Sequence, residues 1–320
     1  MSRFVHLLFA TALLAGCNEY RFDPTAHADT WVQRPDYAVD WLFVVDNSCS
    51  MAPHQQRVGQ HFDALSSALI DADIDVHIGV VTTDVPNDRG VLRDAVLTLD
   101  QVDVGPRFRN ALQVGTTGSG FEMGLEASLT AVTEPARSKA NAGFLREDAR
   151  LVVLYVSDEE DTSPRPVADV VRGLRESAGR TDRRAVSVNA LVVTDRATCT
   201  FPEFEGSVGT RYAAAAELTG GLVLDLCTPD LSTPLARLST EAAGLRDTFV
   251  LTQLPTSDTL TVEIDGQEAT CGEQFELVEV QRNGQTRVGL RLATTPPVGT
   301  EIVARYHAGS SPPEVPCGGS

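Results

Sequence analysis

An apolar run, Trp41-Leu-Phe-Val-Val45, leads directly into Asp46-x-Ser48-x-Ser50. One carboxylate and two hydroxyls at alternate positions, just past a strand's C-terminal end, can turn three hard oxygen donors toward one point. That donor set suits a small divalent cation such as Mg²⁺. Without a metal, the same residues would cap the following helix, Asp46 accepting its first N–H groups with help from Ser48 and Ser50. A second apolar run, Leu151-Val-Val-Leu-Tyr-Val-Ser157, ends in the same way on Asp158.

These carboxylates need elements to position them. Short runs rich in Val, Ile and Leu occur at Trp41–Val45, Val76–Thr83, Leu151–Ser157, Val186–Val193 and Leu222–Leu226. Such continuous apolar segments suit parallel strands covered on both faces. Between them, apolar residues recur at helical spacing: Val58, Phe62, Leu65 and Leu69; Phe121, Leu125, Leu129 and Val132; Val167, Val170, Val171 and Leu174; and Leu231, Leu235, Leu238, Ala242 and Leu245. These stripes are read as core. The alternation predicts an α/β fold with a doubly wound, mostly parallel sheet, in which ligands bind beyond the carboxyl ends of the strands. Asp46 and Asp158 both stand at such ends.

Val-Asp46-Asn-Ser48-Cys-Ser50-Met, with Val-Ser-Asp158-Glu-Glu-Asp, resembles the von Willebrand factor A fold with its metal-ion-dependent adhesion site, in the form of bacterial envelope members. The likeness covers roughly residues 39–246. It implies direct ligation by Ser48 and Ser50, with Asp46 and Asp158 acting directly or through water. A third hydroxyl would come from the segment Gly115-Thr-Thr-Gly-Ser-Gly-Phe-Glu-Met-Gly-Leu125, either from Ser119, by position, or from Thr117, the nearest threonine. The resemblance further implies a cation, Mg²⁺ or alternatively Mn²⁺ or Ca²⁺, completed by an Asp or Glu carboxylate of a protein partner. Glu159, Glu160 and Asp161 are read as a solvated rim, with one of them tuning the site; they do not reproduce an EF-hand loop. Asp84 is read as a loop cap.

Past about Thr248 the pattern changes to period two. Leu260, Val262 and Ile264 precede Asp265-Gly266; Val278 and Val280 precede Asn283-Gly284; Val288, Leu290 and Leu292 follow. Asp-Gly and Asn-Gly between alternating runs signal hairpins. Ile302, Ala304 and Tyr306 add one more strand. The expected organisation is a signal segment at 1–16, a tether at 17–38, the α/β unit at 39–247 and a small antiparallel, sandwich-like β-domain with a tail at 248–320.

Met1-Ser-Arg3 and the apolar run through Leu14 have the layout of a secretory signal. Leu14-Ala-Gly-Cys17 resembles a bacterial lipobox, so Cys17 is expected to carry lipid, and Asn18 favours the outer membrane by the same resemblance. A net charge of −18 argues against nucleic acid as a partner. For an exported chain, disulfides are expected between Cys199 and Cys227, which follow adjacent strands, and between Cys271 and Cys317. Cys49 is then unpaired and is read as a small buried residue.

Enzyme signatures are scarce. Lys139 is the only lysine and lies outside any Gly-x-x-x-x-Gly-Lys context. Neither His-Glu-x-x-His nor Gly-x-Ser-x-Gly occurs. The expectation is a non-enzymatic envelope lipoprotein that binds a cation and, through it, a protein, as an adhesion or assembly module. The alternatives are a structural envelope protein with a degenerate site and a metal-assisted hydrolase using the acidic rim. Cys17→Ser should release the protein from membranes into the soluble fraction; continued retention would count against the lipid anchor.

Overall fold

The computed structural model describes residues 26–35, 38–179, 185–199, 206–256, 259–282 and 285–309. Cys17 and Cys317, with the expected signal segment and lipid anchor, lie outside the described residues. No described helix is long and apolar enough to cross a membrane.

The described chain starts with β1 (Ala26–Val32), which belongs to a β unit taken up below. The next six strands are β2 (Ala38–Val45), β3 (Val76–Thr82), β4 (Leu97–Thr98), β5 (Ala149–Ser157), β6 (Val186–Val192) and β7 (Val223–Asp225). They form one sheet in the order β4-β3-β2-β5-β6-β7. All its pairings are parallel except β3 with β4. The helices are α1 (Ala52–Gln60), α2 (Phe62–Asp71), α3 (Val85–Asp88), α4 (Val104–Leu112), α5 (Gly124–Val132), α6 (Val167–Ser177), α7 (Thr210–Thr219) and α8 (Ser232–Ala242).

The continuous apolar runs follow from a sheet covered on both faces. Along β2, Trp41, Phe43 and Val45 join residues of α1, α2, α4 and α8 in one core cluster. Leu42 and Val44 join residues of α5, α6 and α7 in the other. The chain winds outward from β2 to β3 and β4, returns to β5 beside β2, and winds outward again to β6 and β7. The switch point therefore lies between β2 and β5, where Val45 pairs with Val156 and Asp46 N–H donates to Val156 O at 2.9 Å. A crevice opens beyond the strand ends at such a point.

The stripe from Val58 to Leu69 belongs to two helices rather than one continuous helix. His61 leaves the helical region (φ −100°, ψ 26°), and its N–H donates to Val58 O. The ring Nδ1 lies 2.8 Å from Arg57 O, the carbonyl a continuing helix would have used. Both helices still face the same cluster, so the apolar period runs through the break.

The C-terminal strands are β8 (Thr248–Val250), β9 (Thr261–Ile264), β10 (Gln267–Glu268), β11 (Phe275–Arg282), β12 (Gln285–Leu292) and β13 (Glu301–His307). They make two antiparallel sheets, β1-β13-β9-β10 and β11-β12-β8, around a shared core that includes Phe249, Val262, Leu290, Ile302 and Tyr306. Asp265 and Gly266, at φ 48° and 74°, join Ile264 to its direct partner Gln267, as a two-residue hairpin with positive φ requires. Asn283-Gly284 lies outside the described residues.

The expected tether at 17–38 must be corrected, because Ala26–Val32 pairs along its whole length with β13. Its inward positions are His27, Asp29 and Trp31. His27 stacks on Tyr306, and Trp31 packs on Phe249. Asp29 accepts from Thr252 N (2.8 Å), Thr252 Oγ1 (2.7 Å) and the Tyr306 hydroxyl (2.6 Å). With two polar residues facing in, the strand carries no period-two apolar signal. Asp29→Ala should lower stability in urea unfolding by about 2–4 kcal/mol, since several charge-assisted bonds are lost at once. An unchanged midpoint would place this segment outside the folded unit.

Candidate functional site

The loop after β2 is organised by its own carboxylate. Asp46 is fully buried; its Oδ1 accepts from Ser48 N at 2.7 Å and its Oδ2 from Ser157 Oγ at 2.6 Å. These bonds fold the chain back so that Ser48 Oγ and Ser50 Oγ stand 3.2 Å apart. Ser50 Oγ donates onward to Asp158 Oδ1 at 3.1 Å. Asp46, Ser48, Ser50 and Asp158 thus form one connected cluster from two loops at the switch point. Gln55, on α1, braces it by donating to Asp46 O (2.8 Å) and Gly115 O (2.9 Å). Nothing in the local sequence marks Gln55 for this role.

The third loop behaves differently from expectation. Neither Thr117 nor Ser119 bonds to the cluster. Thr117 is exposed. Ser119 Oγ accepts from Phe121 N at 3.0 Å, and Ser119 N donates to Asp84 Oδ2 at 3.2 Å. The loop lies close to the first one, for Gly118 N donates to Asn47 O at 3.0 Å. A Cβ on Gly118 would come within 2.2 Å of the Asn47 side chain, so a side chain is excluded there. The residue of this loop that reaches Asp46 is Glu122. It is 1% exposed, and its Oε2 accepts from Thr83 Oγ1. Its only trace in the sequence is an acidic residue between Phe121 and Met123, just ahead of a helix. Phe121, read as part of the core stripe, is instead 73% exposed, because α5 begins only at Gly124.

The acidic run after β5 divides by role. Asp158 belongs to the cluster. Glu160 accepts from Thr210 N and Arg211 N, the first N–H groups of α7. Asp161 is buried and accepts from Leu125 N near the start of α5, from Ser163 Oγ and from Arg211 Nε at 2.9 Å. The expected solvated rim is corrected for these two: they anchor helix ends, where carboxylates meet the positive end of the helix dipole. Asp84 caps α3 through Asn87 N, as expected. The disulfide Cys199–Cys227 forms between the segments after β6 and β7. Cys271 is also disulfide-bonded. Cys49 is free but exposed, not buried as expected, because the loop points its side chain outward between two serines that turn inward.

Asp46, Glu122 and Asp158 are three buried carboxyls with no basic partner among the described residues. Asp and Glu are seldom fully buried unpaired. Burial, then the Asp46 charge, pushes Asp158 up to about 6. Burial, then the same neighbour, pushes Glu122 up to about 9. Burial raises Asp46, against the bonds from Ser157 and Ser48. Two buried carboxyl oxygens, Asp158 Oδ2 and Glu122 Oε1, have no hydrogen-bond partner, and neither has Asn47 Oδ1.

No three His, Cys, Asp or Glu side chains stand together as a metal-binding group among the described residues. A cation here must therefore draw on hydroxyls as well. Ser48, Ser50 and the unpartnered oxygen of Asp158 offer that: hard oxygen donors with few direct charges, which fits Mg²⁺, Mn²⁺ or Ca²⁺.

This strand order, with one antiparallel edge, is that of a doubly wound α/β fold, and the Asp-x-Ser-x-Ser loop at its switch point resembles that of the von Willebrand factor A type. Among solved structures, the chain is similar to proximal thread matrix protein 1 from the mussel byssus (16% identity over 70% of this chain and 52% of that one, TM-score 0.45). It is also similar to a von Willebrand factor type A protein from Catenulispora acidiphila (13%, 90% and 66%, TM-score 0.41) and to the pilus adhesin SpaC from Lactobacillus rhamnosus GG (10%, 88% and 41%, TM-score 0.45). The chain spans about half the length of the first of these. These are likenesses of chain path, and the fold assignment rests on the strand order and loop positions. No protein-family profile and no curated protein matches the chain.

The raised carboxyl values set a pH dependence. A carboxyl with a higher pKa folded than unfolded holds its proton more tightly when folded, so stability falls as pH rises between the two values. In chelator, stability should fall between about pH 4 and 6 through Asp158 and Glu122 together, and onward to about 9 through Glu122 alone. Asp158→Asn should make the decline below about pH 6 shallower in thermal melts and leave the part above it. A wild-type profile that stays flat or rises over this range would contradict the electrostatics described.

Proposed function

We propose that the chain is a cation-dependent adhesion or assembly module, tethered to the bacterial envelope by lipid on Cys17. The observation that carries this reading is the buried, unpartnered Oδ2 of Asp158 at the end of the Ser48–Ser50–Asp158 chain. A buried acceptor left unmatched costs about 1–3 kcal/mol or more when charged, and a bound cation would supply its missing partner. Ser48, Ser50 and Asp158 would hold the ion, while Asp46, both of whose oxygens serve the loop, orients them. When bound, the ion supplies an electrophilic centre that can take up a carboxylate of a protein partner.

Phe121, next in sequence to Glu122, is an exposed apolar side chain on the third loop. Mg²⁺ or Mn²⁺ at 100 times its dissociation constant should stabilise the full chain by about 2.7 kcal/mol over chelator. Asp46→Ala should abolish that shift. If wild type and variant melt identically with cation and with chelator, the metal reading is wrong. A partner captured in Mg²⁺ and eluted with chelator should be recovered intact; a cleaved one would favour the hydrolase alternative.

A further inference from the structure

The position of Glu122 calls for a role that capping and packing do not provide. Its backbone and side chain are pinned by two segments. Glu122 O accepts from Thr162 N at 2.6 Å and from Thr162 Oγ1 at 2.8 Å, in the loop after β5. Met123 N donates to Thr83 O at 3.1 Å, and Thr83 Oγ1 donates to Glu122 Oε2, both just past β3. The result is a carboxyl turned inward at 1% exposure between an exposed Phe121 and a half-buried Met123. One oxygen is bonded and the other, Oε1, has no partner. The carboxyl faces Asp46, and no Arg, Lys or His among the described residues pairs with either.

Two unpartnered oxygens, from Glu122 and Asp158, thus approach the Asp46 loop from two further loops. Like charges held together in a low-dielectric setting repel, and a cation among them reverses the sign of that interaction. We propose that Glu122 is a ligand to the divalent cation of this site, contributed by the third loop in place of a hydroxyl of Thr117 or Ser119. The inference rests on the metal-binding reading above and extends it. A carboxylate in that place makes the donor set richer in charge. It shifts the preference from Mg²⁺, which keeps its waters and uses one or two carboxylates, toward Ca²⁺, which accepts more oxygen ligands in a looser shell.

The test is calorimetric titration of Mg²⁺, Mn²⁺ and Ca²⁺ into the full chain and its variants. Glu122→Gln keeps the size and the acceptor for Thr83 but lacks the ligand charge. It should lose affinity at least about tenfold, the smaller end of the losses found for groups that only orient ligands. Thr117→Ala and Ser119→Ala should bind as wild type does. If wild type binds a cation and Glu122→Gln binds it equally well, Glu122 only positions Asp46, and this inference fails while the site survives. If wild type binds no cation, the site reading itself fails. A measurement free of variants closes the gap should Glu122→Gln not fold. In Mn²⁺-loaded crystals of the wild-type protein, the anomalous peak should lie within about 2.5 Å of a Glu122 carboxyl oxygen, and a peak beyond that contact overturns the proposal.

Discussion

Parallel pairing of β2 with β5 is the constraint from which the site follows. These strands are far apart in sequence, yet they are neighbours because the chain winds outward twice from a common centre. Their register puts Val45 opposite Val156, and the last rung, Asp46 N–H to Val156 O, ties the first residue beyond β2 to the end of β5. Ser157 can then bond Asp46, and Asp158 can take the hydroxyl of Ser50. A shift of one residue would turn each of these side chains to the opposite face of the sheet.

Burial gives that geometry its electrostatic character. Helices on both faces of the sheet raise a wall around the strand ends, and three carboxyls from three loops sit inside it without a basic neighbour among the described residues. Nearby acidic residues show the contrast. Glu160 and Asp161 are satisfied by helix N–H groups and Arg211. Asp158, Glu122 and Asp46 are shifted upward by burial, and the Asp46 charge adds to the shift of the other two. The fold thus keeps some carboxylates as braces and leaves others buried without a basic partner among the described residues.

How much of this was legible in the sequence depended on whether a residue's role was set locally. Asp46 and Asp158 could be read because each ends a continuous apolar run, and such runs report parallel strands covered on both sides. The Cys199–Cys227 bridge followed from the same strand logic. Strand β1 was hidden because His27 and Asp29 occupy its inward positions. Helix α7, with Tyr-Ala-Ala-Ala-Ala at its centre, has too little contrast between its faces to show a period. On the third loop, Thr117 is exposed and Ser119 Oγ accepts from Phe121 N, while Glu122 is the side chain turned inward. What turns Glu122 inward is its contacts with Thr83 and Thr162, which lie on other loops.

We propose that Ser48, Ser50 and Asp158 at the β2–β5 junction bind one divalent ion. Equilibrium dialysis of the full chain against Mn²⁺, with bound metal counted per chain, addresses it most directly. One saturable ion per wild-type chain, lost when Ser48 and Ser50 are both replaced by Ala, is the expected result. No saturable ion on the wild type, or an ion retained at the same affinity without the two hydroxyls, would contradict it.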